Sequence, residues 1–94
     1  MEREEIEAMW ERITALEENQ LKFCKVAAYE SVLSVYNLAV MLMPPRNVQS
    51  YVKYMKPKHE QAEENILNAK SIDEVIGLLR GFNYDCISFV NSMV

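Results

Sequence analysis

From Glu2 to Met43 the chain holds neither proline nor glycine, and apolar side chains recur at helical spacing throughout. Ile6, Met9, Ile13 and Leu16 follow one another at alternating steps of three and four residues. That rhythm is the seam of a coiled coil or of a bundle helix. Carried on, the register meets Gln20, then Phe23, Ala27 and Glu30. A polar residue at one seam position is tolerated, and it fixes register at some cost in stability. Glutamates crowd the first turns, where they complement the positive end of the helix dipole. Unbroken, this helix would run ~60 Å at 1.5 Å rise per residue, too long for a compact globule of this size. Either it breaks near Glu18-Asn19-Gln20, or its first half projects and finds a partner.

Between Phe23 and Met43 the pattern is apolar on most sides, with Glu30, Ser34 and Asn37 forming one narrow polar stripe. Such a pattern predicts the central helix of its domain, a strut over residues 21–43. Pro44-Pro45 ends it, since proline lacks an amide hydrogen and the residue before a proline avoids the helical region. Asn47 is placed to cap a short helix over 47–56, with Val48, Tyr51, Val52 and Met55 on one face. Pro57 suits the first turn of a further helix, 58–69. Its apolar stripe of Ala62, Ile66 and Ala69, with Leu67 beside it, is thin, and predicts a peripheral position. Ser71-Ile72-Asp73-Glu74 is a capping-box pattern opening a helical hairpin over 72–93. Ile72, Val75, Ile76 and Leu79 line its first arm, Gly81 is the expected stop, and Asn83 is placed to cap the second arm. Cys86, Ile87, Phe89, Val90 and Met93 carry the apolar burden there. The expected fold is all-α: a single helical domain over 1–94, a small bundle of four or five helices with a long N-terminal helix, continuous or broken.

Composition supports that reading and narrows the setting. The chain has 94 residues, half of them hydrophobic, which excludes a disordered tail. A chain this short buries only ~60–65 % of its unfolded surface, and self-association is a common way to add burial. With two glycines and three prolines it has too few turn residues for a strand-rich domain. The most apolar stretch, Val26 to Met43, is interrupted by Glu30, Ser31, Ser34 and Asn37, so a core helix is expected rather than a membrane span of ~20 apolar residues. The opening Met1-Glu2-Arg3-Glu4-Glu5 is the opposite of a secretory leader's basic start. Cys24 and Cys86 show no C-x-x-C spacing, and read as two buried thiols in a reducing, cytoplasmic setting, with a disulfide between them as the alternative.

Candidate chemistry is sparse. The sole histidine, His59, has Glu63 at i+4 but lies in a polar, basic stretch and reads as an exposed surface side chain. No Glu-x-x-His occurs, so the paired motif of bundle metal sites is missing. Glu30, the one acid within the apolar helix, is expected to face water along the Ser34/Asn37 stripe. There is no glycine-rich phosphate loop and no motif that places a nucleophile beside the histidine. These residues assign no catalytic group, metal ligand or cofactor; a small-ligand bundle acting through Glu30 and His59 is the weakest of three function classes.

Charge is more informative, because its layout is uneven. The net charge is −4 and the pI about 5.0, which argues against a generic nucleic-acid binder. Residues 1–20 hold seven glutamates against two arginines, a net −5. Residues 44–59 hold Arg46, Lys53, Lys56 and Lys58 with no acid, a net +4. Tyr51 and Tyr54 are interleaved with those lysines. Arg46, Lys53, Tyr54, Lys56 and Lys58 therefore define the alternative function, a nucleic-acid-binding or regulatory surface that grips phosphates and stacks a base. The simpler reading puts Tyr51 on a core face and the lysines on its solvated back. A third reading lays the acidic N-terminal helix against the basic segment of another copy or of the same chain, where complementary charge guides pairing. The 72–93 hairpin has helix-turn-helix proportions, but its outward candidates Tyr84, Asp85, Ser88 and Asn91 include no lysine or arginine. The function expected first is a non-enzymatic structural or protein-interaction module that self-associates, a homodimer being favoured. Its contact residues would be Ile6, Met9, Trp10, Ile13 and Leu16, with Trp10 as anchor because tryptophan is enriched at interface hot spots. A different protein partner is the second possibility for that surface.

Overall fold

The computed structural model describes residues 2–92. The polypeptide forms three helices, α1 (Arg3–Leu42), α2 (Val48–Asn68) and α3 (Ile72–Ser92), with a single 3-10 turn at Pro45–Asn47. The described residues contain no strand, so the fold is all-α, with three helices where four or five were expected. The molecule is a rod of 68 × 18 × 15 Å.

Helix α1 is unbroken over 40 residues, because nothing at Glu18-Asn19-Gln20 removes an amide hydrogen or favours another conformation. It ends where Met43 and Pro44 turn extended. Helix α2 then runs back along it. Tyr51 near the start of α2 donates a hydrogen bond to the Tyr36 carbonyl at 2.8 Å, and Lys25 donates to the Leu67 carbonyl near its end, also at 2.8 Å. Helix α3 returns parallel to α1, so that Ile72 lies by Phe23 and Val90 by Leu38.

Two predicted breaks are absent. The expected helices 47–56 and 58–69 are one helix, with Pro57 inside α2. Proline there leaves the Lys53 carbonyl without its helical donor and costs ~3 kcal/mol in a helix interior. The helix continues because Tyr51, Met55, His59, Ala62 and Ile66 form a buried stripe that crosses Pro57 without interruption. The same stripe makes α2 a main contributor to the core, not a peripheral helix. Asn47 makes no side-chain cap. The expected hairpin at 72–93 is likewise one helix. Gly81 sits inside α3 with ordinary negative φ, and Asn83 is a mid-helix residue rather than a cap. Val75, Phe82 and Cys86 bury one continuous face on both sides of that glycine, which outweighs a cost of ~1 kcal/mol for glycine in a helix. Met93 lies outside the described residues. The capping box forms in part: the Glu74 amide donates to Ser71 Oγ at 3.1 Å, while the Glu74 carboxylate accepts from the amide of Lys70, one residue before the cap, at 2.8 Å.

Tyr51 is the centre of the core and is fully buried. Its ring stacks on Tyr36 (5.2 Å between centroids) and meets the edge of Phe89 (5.4 Å). Its hydroxyl lies 3.8 Å from Cys86 Sγ. Burial pushes both the Tyr51 phenol and the Cys86 thiol upward in pKa. Cys24 is half-buried and Cys86 buried, and both are free thiols. Among the described residues no helix is long and apolar enough to cross a membrane.

Candidate interaction surface

Helices α2 and α3 have 21 residues each, against 40 in α1, so they cover only its second half. The α2–α3 connection lies beside Thr14, Glu17 and Leu21. Upstream of that level α1 stands alone, and every residue from Glu2 to Gln20 is exposed. At 1.5 Å per residue, the Arg3–Ile13 overhang is ~16 Å long. The seam residues Ile6, Met9, Ile13 and Leu16 share one side of the helix and are all exposed, with Leu16 lying beside Ile72 at the start of α3; Trp10, beside them, is 65 % exposed. The local bonds on this segment are weak. An exposed Arg3–Glu7 ion pair at 3.2 Å contributes little in water. Thr14 donates to the Trp10 carbonyl at 2.9 Å.

The second half of α1 also departs from expectation. Its apolar residues were expected to compete for burial all round, yet only the face carrying Ala28, Val32 and Ala39 is fully buried. Phe23, Val26, Leu33, Leu38, Met41 and Leu42 remain exposed. Two shorter helices cover one side of a third, and the remaining circumference stays bare. Part of that bare side is a groove of about 250 Å³ between α1 and α3, walled by Val35, Leu38 and Leu42 on one side and Ile87 and Val90 on the other. Contiguous apolar surface of this kind marks interaction sites in soluble proteins.

The basic segment is divided by the fold. Arg46 sits in the 3-10 turn, and Lys53 and Lys56 lie exposed on the back of α2. Lys58 turns instead toward α3. Its Nζ lies 4.9 Å from the centre of the Tyr54 ring and 3.7 Å from Asp85, neighbours that together raise its pKa. Tyr54 itself stacks on Phe89 at 5.5 Å. Tyr54 is thereby occupied by intramolecular partners, and Lys58 is partly neutralised. The five residues do not form one face.

His59 is buried, not an exposed surface side chain. Its Nδ1 lies 2.8 Å from Glu63 Oε1, and its ring packs on Tyr36 (4.8 Å) and against Phe82 (5.7 Å). Nε2 is buried with no hydrogen-bond partner among the described residues. The imidazole thus packs between α1 and α3, with the Glu63 carboxylate beside it. Glu30, the other acid of interest, is exposed. The α1/α3 groove and the burial of His59 were missed from sequence. Both had a readable signal: Leu38 and Leu42 share a side of α1, and His59 falls in register with Tyr51, Met55, Ala62 and Ile66. Compared with known proteins, the chain matches no family model, no curated protein and no solved structure.

Proposed function

We propose that this protein is a non-enzymatic interaction module that self-associates through the α1 overhang. The observation that carries this reading is the unpartnered Ile6/Met9/Ile13/Leu16 seam with Trp10 on a helix that extends beyond its own bundle. Apolar surface of that extent is costly to leave in water, at ~25 cal/mol per Å². A short domain gains most from covering it with another chain.

The test is solution mass by light scattering across a dilution series, at low and high salt, for the wild type and for Met9→Glu with Ile13→Glu. The expected result is a dimer or larger species that the paired glutamates reduce to monomer. Neither substitution touches the core, so the variant should keep a cooperative thermal transition and the helical signal of the bundle from Leu21 on. A wild type that is monomeric at every concentration would refute the proposal.

A further inference from the structure

The overhang and the α1/α3 groove lie on the same side of α1. The strict alternation of three and four leads from Leu16 through Gln20 to Phe23 and Glu30, but at 3.6 residues per turn the side of a straight helix that carries the seam continues through Gln20, Cys24, Ala27, Ser31 and Val35 to Leu38 and Leu42 on the groove wall. The apolar side chains of this stripe gather at its two ends, and its middle is small or weakly polar.

We propose that two copies pair antiparallel about a twofold axis at Cys24, so that each overhang seats in the other copy's α1/α3 groove. This placement rests on the self-association proposed above. The register follows from the stripe. Ile6 set against Leu42, Trp10 against Leu38, and Ile13 against Val35 each have Cys24 as their midpoint. One axis therefore satisfies all three contacts, twice over, as an isologous interface requires. Each domain then gains a fourth helix from its partner.

Charge selects this arrangement over the obvious competitor. Packing overhang on overhang brings residues 2–20 of one copy, net −5, against the same segment of the other, and like-charge juxtaposition disfavours such a pairing. In the antiparallel register that segment instead lies along residues 28–46, which carry one acid, Glu30, and one base, Arg46. Glu2 comes opposite Arg46, at the start of the segment with net +4. Seating the overhang in the groove also covers both bare apolar surfaces at once, whereas overhang on overhang leaves the groove bare.

The experiment is crosslinking of the full chain with a short bismaleimide, read by peptide mass, at concentrations where light scattering shows the dimer. The wild type should link Cys24 to Cys24. In a Cys24→Ala background, a mixture of Glu17→Cys protein with Ser31→Cys protein should give only the mixed link, because Glu17 lies opposite Ser31 and ~21 Å from its own counterpart. None of these substitutions removes a residue of the apolar seam. The placement is overturned if a dimeric protein fails to give the Cys24 link or the mixed link. Self-linking of Glu17→Cys would indicate parallel helices, and self-linking of Arg12→Cys would indicate overhang against overhang. A protein that stays monomeric overturns the self-association itself, an outcome that light scattering reads separately from the crosslinks.

Discussion

Trp10→Ala isolates association from folding, because the side chain is exposed in the single chain and contributes nothing to the core. The indole is 65 % exposed. An aromatic side chain of this kind offers ~150–250 Å², so about two-thirds of it, buried at ~25 cal/mol per Å², is worth ~2.5–4 kcal/mol. Alanine keeps its Cβ and some local contact, and hot-spot truncations begin near ~2 kcal/mol, so ~2 kcal/mol per indole is the working figure. A twofold interface contains the residue twice, which brings the loss to ~4 kcal/mol, or about a thousandfold in Kd. The assay is sedimentation or light scattering over a concentration series that brackets both dissociation constants. Trp10 is the sole tryptophan, so its fluorescence reports the same event in the wild type, with a blue shift as the dimer forms. Monomer stability should change by no more than ~0.5 kcal/mol, as for surface substitutions away from special features. A variant that dimerises as tightly as the wild type would refute the assignment of Trp10 as anchor.

Three further substitutions test the fold and the alternative function. Pro57→Ala restores an amide donor to the Lys53 carbonyl inside a continuous α2, and should raise stability by ~1–3 kcal/mol in thermal or denaturant unfolding; a loss of stability would mean that Pro57 is needed where it stands. Tyr51→Phe removes the hydrogen bond to the Tyr36 carbonyl but leaves the ring stack, and should cost ~1 kcal/mol, measured as a lower denaturant midpoint at unchanged slope. For the basic segment, the wild type should show no salt-sensitive retention of DNA or RNA at physiological ionic strength. Strong binding that Lys53→Glu, Lys56→Glu and Lys58→Glu together abolish would favour the nucleic-acid reading instead.

Much of the helical content was legible because periodicity is local. The α1 register, the Pro44-Pro45 stop and the Ser71–Glu74 cap all follow from residues within a turn or two of one another. The predicted breaks at Pro57 and Gly81 failed for a shared reason. Each residue disfavours a helix locally, and each lies on the exposed side of a helix whose opposite face is buried without interruption. Burial is a tertiary quantity, and in both cases it outweighs a local penalty of ~1–3 kcal/mol. His59 was misjudged in the same way. Its neighbours in sequence are Lys58 and Glu60, but its neighbours in space are Tyr36 and Phe82. Of the candidate surface, the overhang seam was visible as a heptad pattern. Its α1/α3 groove was not, since its walls come from residues more than forty positions apart.

The overhang also makes a demand of its own that leads to a dynamic prediction. A helix of this length is marginal in water when isolated, because nucleation is costly and tertiary packing supplies most helical stability. From Glu2 to Ile13 every residue is exposed and the helix runs upstream of the α2–α3 connection, so it is held there by continuity with the residues from Thr14 on and by its own backbone bonds. Its order should therefore depend on the second copy. Hydrogen exchange compared between the wild type and a monomeric variant, Met9→Glu with Ile13→Glu, measures that dependence directly. In the monomer, amides of residues 4–16 should exchange near the unfolded rate while those at Val32, Tyr51 and Val75 stay protected. In the dimer, the overhang should acquire protection that rises with protein concentration. Equal protection of residues 4–16 in both species would mean that the helix needs no cover, and the main physical reason for a partner would be gone.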